Sequence, residues 1–284
     1  MDRKYILTDL DGTLLRSNQS ISKYSVRVLT EALEIGVTIS YATARSYRSS
    51  MEILSDIPWK FPLVLYNGAL LFDPVQQKLI DGYFLDTIIS NEIIRIGEQH
   101  NISPFLFFLD ANDEEKVFHR SLSRGSDLQF YKSRLGDPRF NQVDRLLFPK
   151  DSKTIIVTFI GTYEEMIPIF QIVKETFSDL IQIHFMEDSY ITNNYFLEFS
   201  HPLANKKRGL ELWCEHVDCN KKDVLVFGDN LNDLGMFEEA GLKVAVQNAH
   251  VNLKGLANEV IDHHDSDSVA KYIKRFVVQN SGSP

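Results

Sequence analysis

Five short apolar runs in this sequence end in residues able to do chemistry. Tyr5-Ile6-Leu7-Thr8 leads into Asp9-Leu10-Asp11-Gly12-Thr13, and the run Val37 to Tyr41 leads into Thr43-Ala44-Arg45. Leu63-Val64-Leu65-Tyr66 precedes Asn67-Gly68, and Val244-Ala245-Val246 precedes Asn248. Val224-Leu225-Val226-Phe227 precedes Gly228-Asp229-Asn230-Leu231-Asn232-Asp233. Asp9 and Asp11, two apart, share one side of an extended chain. Gly12 lets the backbone turn tightly and bring amide groups near an anion. Asp229 and Asp233 add two carboxylates, and so many acids in one place repel one another unless a cation neutralises them. Oxygen ligands without His or Cys point to a hard cation such as Mg²⁺, which keeps open positions for waters and a phosphate oxygen. A carboxylate beside such an ion can be a nucleophile that forms an aspartyl-phosphate. A second, protonated carboxyl can protonate the leaving alkoxide and later activate water.

A lysine is needed to balance charge on a transferring phosphoryl group. Glu198 to Lys207 offers one, at the start of a helical pattern carrying Leu210, Leu212 and Trp213. The helix dipole disfavours a cation there, so an anion sharing the site explains it better.

The elements that must position these residues alternate. A helix capped by Ser22 carries Val26, Leu29, Leu33 and Ile35 and stops at Gly36; a second helix spans Ser46 to Leu54; a third lies around Leu234 to Ala240. Strands separated by helices imply a parallel, Rossmann-like α/β sheet covered on both faces, with ligands at the carboxyl ends of its strands. The middle of the chain forms another α/β pattern: a helix from Asp86 to Asn101, strands at Phe105–Leu109, Thr154–Ile160 and Ile181–Phe185, and a helix from Glu164 to Phe177. The reading is a core of residues 1–83 and 188–284 with a smaller α/β domain, 84–187, inserted as a cap. Asp81-Gly82 and Glu187-Asp188-Ser189 are the expected hinges. The strand before Lys206 is read as the core resuming, and Asn280 to Pro284 as a frayed tail.

Composition narrows the function classes. A chain of 284 residues with 44% hydrophobic and 24% charged residues is ordinary globular protein, not disordered or fibrous. The 39 acidic residues against 30 basic ones give a net charge of -9, which argues against nucleic acid as a partner. Cys214 and Cys219 are too few for a disulfide framework and wrongly spaced for a C-x-x-C site. No apolar run has the length of a membrane span, and the first residues lack a signal-peptide core, so a cytoplasmic protein without a membrane partner is expected.

Asp9-Leu10-Asp11-Gly12-Thr13-Leu14 resembles the D-x-D-G-T-L signature of the haloacid dehalogenase superfamily of phosphohydrolases. Gly228-Asp229-Asn230-Leu231-Asn232-Asp233 resembles its G-D-x-x-N-D motif, and Thr43 and Lys206 match the second and third motifs in order and position. The large insert, with Asn67-Gly68-Ala69, resembles the Cof-like branch, which has a big α/β cap. The resemblance implies Asp9 as nucleophile and Mg²⁺ ligand, and Asp11 as general acid/base with its carbonyl on the metal. It implies Asp229 as a ligand, Asn230 in the same shell through water, and Asp233 orienting that shell and Lys206. Thr43, Lys206, Asn232 and the backbone of Leu10 and Ala44 would hold phosphate, with Arg45 and Asn67 at the entrance. Cap closure would supply specificity. The chain departs from the pattern at Ala44 and Lys207, where glycine is common, and at Gln247, where glycine usually precedes Asn248.

The expected activity is therefore a Mg²⁺-dependent phosphatase acting on a small phosphorylated metabolite. Sugar phosphates are the default, with pyridoxal phosphate and flavin-type phosphates open. The competing readings are a phosphomutase on the same aspartyl-phosphate and a non-catalytic phospho-ligand sensor. An EF-hand reading of the first motif fails, because its sixth and twelfth positions are Leu14 and Ser20. Asp262-His263-His264-Asp265 reads as an exposed loop rather than a metal site, Asp113 to Lys116 as a solvated loop, and Phe105 to Phe108 as core of the cap sheet.

Overall fold

A computed structural model describes residues 4–187 and 193–279. The expected hinge residues Asp188 and Ser189, the first three residues and the tail from Asn280 lie outside the described residues.

Five strands form one parallel sheet: Tyr5–Thr8 (β1), Thr38–Tyr41 (β2), Val224–Gly228 (β12), Leu242–Val246 (β13) and Glu259–Ile261 (β14), in the order β14-β13-β12-β1-β2. β1, β2 and β12 are buried along their whole length, as strands covered on both faces must be. Crossovers run through the helices Lys23–Glu34 (α1), Lys206–Val217 (α6), Leu234–Glu239 (α7) and Val251–Leu256 (α8), and Ser268–Gln279 (α9) follows the last strand. α1 packs on α9, and α6 on α7. Ser22 caps α1 by accepting from the Ser25 amide at 3.0 Å, and Ser46 caps the short helix Tyr47–Leu54 (α2) in the same way at 3.1 Å.

The run at Leu63–Tyr66 differs from the expectation of another parallel strand. Leu63–Leu65 (β3) pairs antiparallel with Leu70–Asp73 (β4), which pairs with Lys78–Gly82 (β5). Among the described residues, one isolated bridge, between Ala42 and Val64, pairs it with the edge of the parallel sheet. Tyr66 and Asn67 both have φ above +50°, so the chain turns there and comes back as a hairpin instead of feeding a crossover helix.

The chain divides into two compact units, residues 1–82 with 204–284 and residues 83–203. The second unit carries a six-stranded sheet in the order β10-β11-β9-β6-β7-β8. These strands are Phe105–Leu109 (β6), Glu115–His119 (β7), Phe140–Gln142 (β8), Lys153–Gly161 (β9), Gln182–Glu187 (β10) and Tyr195–Ser200 (β11). Helices Thr87–Gln99 (α3) and Tyr163–Phe177 (α5) bury Ile93, Met166, Ile169 and Val173 against Leu106, Phe108, Val157, Phe159, Leu197 and Phe199. The helix Gly125–Lys132 (α4) sets Phe130 against Phe105 and Ile160 from the other side chains of the same strands. Two buried faces explain why Phe105 to Phe108 reads as an unbroken apolar run.

Two expectations are corrected here. The second boundary, expected between 187 and 188, lies after Leu203, because β11 pairs antiparallel with both β9 and β10 and is not a core strand. The polar stretch after Leu109 is not loop throughout: Glu115 and Lys116 belong to β7, which pairs with β6. Glu115-Lys116-Val117-Phe118-His119 does not alternate polar with apolar residues, so no strand period announces it. No helix among the described residues is long and apolar enough to cross a membrane.

Gly97 in α3 shows how tightly the second unit is packed. A Cβ there would lie 2.1 Å from Phe159 Cε1 and 2.8 Å from the Ile102 carbonyl. Alanine gains about 1 kcal/mol of helix propensity, but overpacking a closed core costs about 1–3 kcal/mol. Gly97→Ala is therefore expected to lower the urea midpoint of the second unit's transition; an unchanged or raised midpoint would show that Phe159 can move aside.

Candidate active site

The carboxyl ends of β1, β2 and β12 deliver Asp9, Thr43 and Asp229 to one edge of the parallel sheet. Asp9 is 5% exposed, and its amide donates to the Phe227 carbonyl at 3.0 Å, so its backbone extends the β1–β12 ladder. Its Oδ1 accepts from Lys206 Nζ at 2.5 Å, and the same ammonium donates to Asp233 Oδ1 at 2.6 Å. Lys206 opens α6 and is 1% exposed. Lys207 points the other way, to Glu239 at 2.7 Å. Asp233 Oδ2 accepts from the amides of Asp229 and Asn230, both at 3.0 Å. With one oxygen on Lys206 and the other on two amides, Asp233 is fully engaged as a support.

Burial pushes the Asp9 carboxyl well above the usual carboxylate range; Lys206 opposes the rise, while Asp233 and Asp229 add to it. Burial likewise raises Asp229 to about 7, helped by Asp233 and opposed by Lys206. For Lys206, burial alone would lower the ammonium, but Asp233 and Asp9 outweigh it and hold it above the ordinary lysine value. One lysine thus faces three carboxylates; burial lifts Asp9 and Asp229 most, and the neighbouring carboxylates add to the rise against Lys206.

A hard cation fits this arrangement. Oxygen atoms of Asp9, Asp229 and Asp233 lie within 4.8 Å of one another. Asp9 Oδ2 is buried and has no hydrogen-bond partner among the described residues, so an acceptor is held ready where water is excluded. Gly12, at φ 75°, presses against the same place: a Cβ there would come 2.4 Å from Asp229 Oδ2. Asp9 and Asp229 are the side chains that could hold the ion.

The side chains of Asn230 and Asp11 are engaged by other protein groups. Asn230 is exposed, and its carboxamide oxygen caps the next turn by accepting from the Leu231 amide at 2.8 Å. The Asp11 carboxylate turns to Arg45, which donates to it through Nε and Nη2 at 2.7 Å each. Arg45 also reaches Gln19 Oε1 at 2.8 Å.

Thr43 is buried, and its hydroxyl accepts from the Arg45 amide at 3.1 Å. Its own amide donates to Val64, and its carbonyl accepts from Asn67, which ties the ends of β2 and β3 together. Asn67 takes the left-handed conformation that asparagine tolerates, and Asn232 Nδ2 donates to its Oδ1 at 3.0 Å. Leu10 and Ala44 sit in the turns that follow β1 and β2.

Two further residues belong to this edge although no role was read for them. Thr13 approaches Asp229 Oδ1 at 3.4 Å, and Asn248 donates to the Gly12 carbonyl at 2.8 Å. Thr13 stands inside the first motif and Asn248 just past β13; position after a strand was the available signal for the second. His264 also departs from expectation. It is buried, with Nε2 3.0 Å from Ser17 Oγ, rather than part of an exposed loop.

Residues 6–273 match the haloacid dehalogenase-like hydrolase family. The chain belongs to that family. It is similar to a pyridoxal phosphate phosphatase of Escherichia coli, 24% identical over 96% of this chain and 98% of that protein. It is also similar to a 5-amino-6-(5-phospho-D-ribitylamino)uracil phosphatase of Bacillus subtilis, 25% identical over 95% of this chain and 96% of that one. The fold is that of a haloacid dehalogenase-like hydrolase from Bacteroides thetaiotaomicron, with a TM-score of 0.81 at 20% identity over 97% of this chain and 100% of the other. This haloacid dehalogenase-like chain is an enzyme of the hydrolase class.

The raised Asp229 makes a prediction about stability. An unfolded aspartate titrates near ~3.9, and the folded one near about 7. Between those values the folded protein binds the extra proton, so in chelator this group's contribution to stability falls as pH rises. Asp229→Asn removes that loss. The melting temperature of the variant minus that of the wild type should climb from pH 4 to pH 7 in EDTA and shrink when Mg²⁺ is added at pH 8. A difference that stays flat with pH would mean that Asp229 does not carry the burden.

Proposed function

We propose that this hydrolase is a Mg²⁺-dependent phosphatase of small phosphorylated metabolites that works through an aspartyl-phosphate on Asp9. The observation that carries the reading is Asp9 itself. One of its oxygens is held by Lys206, and the other is buried and unpartnered, beside a second carboxylate on Asp229. A carboxylate kept out of water and oriented by a buried ammonium is a nucleophile waiting for an electrophile. The two bacterial relatives, both phosphatases of small phosphate esters, support the same reaction class.

In the first step an Asp9 oxygen attacks phosphorus, the bond from phosphorus to the ester oxygen breaks, and Asp11 gives that oxygen its proton. In the second, Asp11 takes a proton from water, the water oxygen attacks the same phosphorus, and the phosphorus–Asp9 bond breaks. Lys206 stays beside Asp9 through both steps and offsets the charge of the equatorial oxygens. Thr43 and Asn232, with the amides of Leu10 and Ala44, are the groups assigned to the phosphate. Mg²⁺ on Asp9 and Asp229 supplies charge neutralisation between the nucleophile and the phosphate dianion. Arg45 fits the entrance. A phosphate arriving there competes with Asp11 for the guanidinium, and the pair that now holds Asp11 aside then opens.

Asp9→Asn is expected to cut kcat/KM for p-nitrophenyl phosphate by on the order of 10³ or more; near-normal turnover would remove Asp9 from the nucleophile's role. EDTA should stop the wild-type enzyme and Mg²⁺ restore it. Full rescue by zinc with none by magnesium would count against an all-oxygen site. A panel of phosphate esters, with heteroaromatic and sugar phosphates side by side, names the substrate class.

A further inference from the structure

The loop Leu10–Leu14 carries Asp11 and Gly12, and its backbone is gripped from one short turn far along the chain. Asn248 Nδ2 donates to the Gly12 carbonyl at 2.8 Å, while Asn248 Oδ1 accepts from the His264 amide at 3.2 Å. Past the loop, Asp265 Oδ1 accepts from the Ser17 amide at 2.8 Å, and Asp265 Oδ2 from the Ser17 hydroxyl at 2.7 Å. Because that hydroxyl spends its proton on Asp265, the 3.0 Å contact with His264 Nε2 makes the imidazole the donor. Arg16 adds an ion pair with Asp267 at 2.9 Å, and Asp267 also accepts from Ser25 at 3.2 Å. The turn at 264–267, directly and through Asn248, therefore fixes the segment that follows Asp11.

These contacts also decide against a metal ion in the same place. His263, His264 and Asp265 bring ligand atoms within 4.8 Å of one another. An ion on His264 Nε2 would leave the ring proton on Nδ1, which is buried with no partner among the described residues. Hydrogen bonding from Nε2 to Ser17 leaves Nδ1 as a bare acceptor instead, a far smaller cost than an orphaned donor.

We infer that Asn248, His264 and Asp265 are positioning residues for Asp11, holding the backbone from Gly12 to Ser17 so that its carboxyl meets the leaving oxygen. The inference rests on the proposed role of Asp11 as general acid. Asn248 carries most of the effect, because it alone of the three bonds the residue next to Asp11. Asn248→Asp replaces the donor with an oxygen that repels the Gly12 carbonyl. Ser17→Ala releases the far side, and since Ser17 is exposed, that variant keeps its fold if the first does not.

The test is the dependence on the leaving group. A nitrophenolate departs without a proton, whereas an alkoxide needs one, so misplaced general acid costs more on an alkyl phosphate than on p-nitrophenyl phosphate. kcat/KM is measured on both substrates at saturating Mg²⁺, with melting temperatures recorded alongside. Asp11→Asn should lose about 10²-fold more on the alkyl ester than on the aryl ester. Asn248→Asp should lose about 10-fold more on the alkyl ester, and Ser17→Ala a smaller excess in the same direction. Equal losses on both esters, or none, with the Asp11→Asn contrast present, would overturn the positioning role while leaving the proposed reaction standing. Absence of the contrast in Asp11→Asn itself would overturn the general-acid reading and this inference with it.

Discussion

The structure turns on a buried ammonium. Lys206 is placed where its helix dipole disfavours it, and it is held there by Asp9 and Asp233. Two carboxylates and one lysine shut away from water are tolerable only because each group is hydrogen-bonded as well as charged. Much of the local architecture serves that contact. Asn205 caps α6 by accepting from the Arg208 amide at 3.1 Å. Gly68 and Gly209 let the start of α6 come against the hairpin: a Cβ at Gly68 would fall 2.2 Å from the Asn205 carbonyl, and one at Gly209 2.4 Å from Val64. Asp233 converts the Lys206 position into a backbone position, since its other oxygen fixes the amides of Asp229 and Asn230.

The site was legible because strand ends are legible. Asp9, Thr43 and Asp229 follow runs buried from end to end, and such runs have one meaning in a parallel sheet. Where the structure departs from the sequence reading, the deciding feature leaves no mark in composition. Leu63 to Tyr66 has the composition of a parallel strand, but two consecutive residues with positive φ turn it into a hairpin. Tyr195–Ser200 stands just before Lys206 in sequence, yet its register with β9 and β10 sets its place. His264 looked like one of two loop histidines because nothing in the sequence announces Ser17 as its partner.

Family membership and geometry speak to different questions. The match across residues 6–273 fixes the fold and the hydrolase class. It does not by itself say that Asp11 is engaged with Arg45, or that Asp9 keeps one oxygen bare; those are properties of this chain's own side chains.

The parallel pairing of β1 with β12 also bears on how the chain acquires its order. Tyr5 lies opposite Val224, and Thr8 opposite Phe227, so β1 meets this neighbour only after the whole second unit between them has been made. Until then a wholly apolar segment has one flank unsatisfied, and pairings this distant close slowly. The sheet edge that bears Asp9 is thus closed by a pairing that spans the entire second unit.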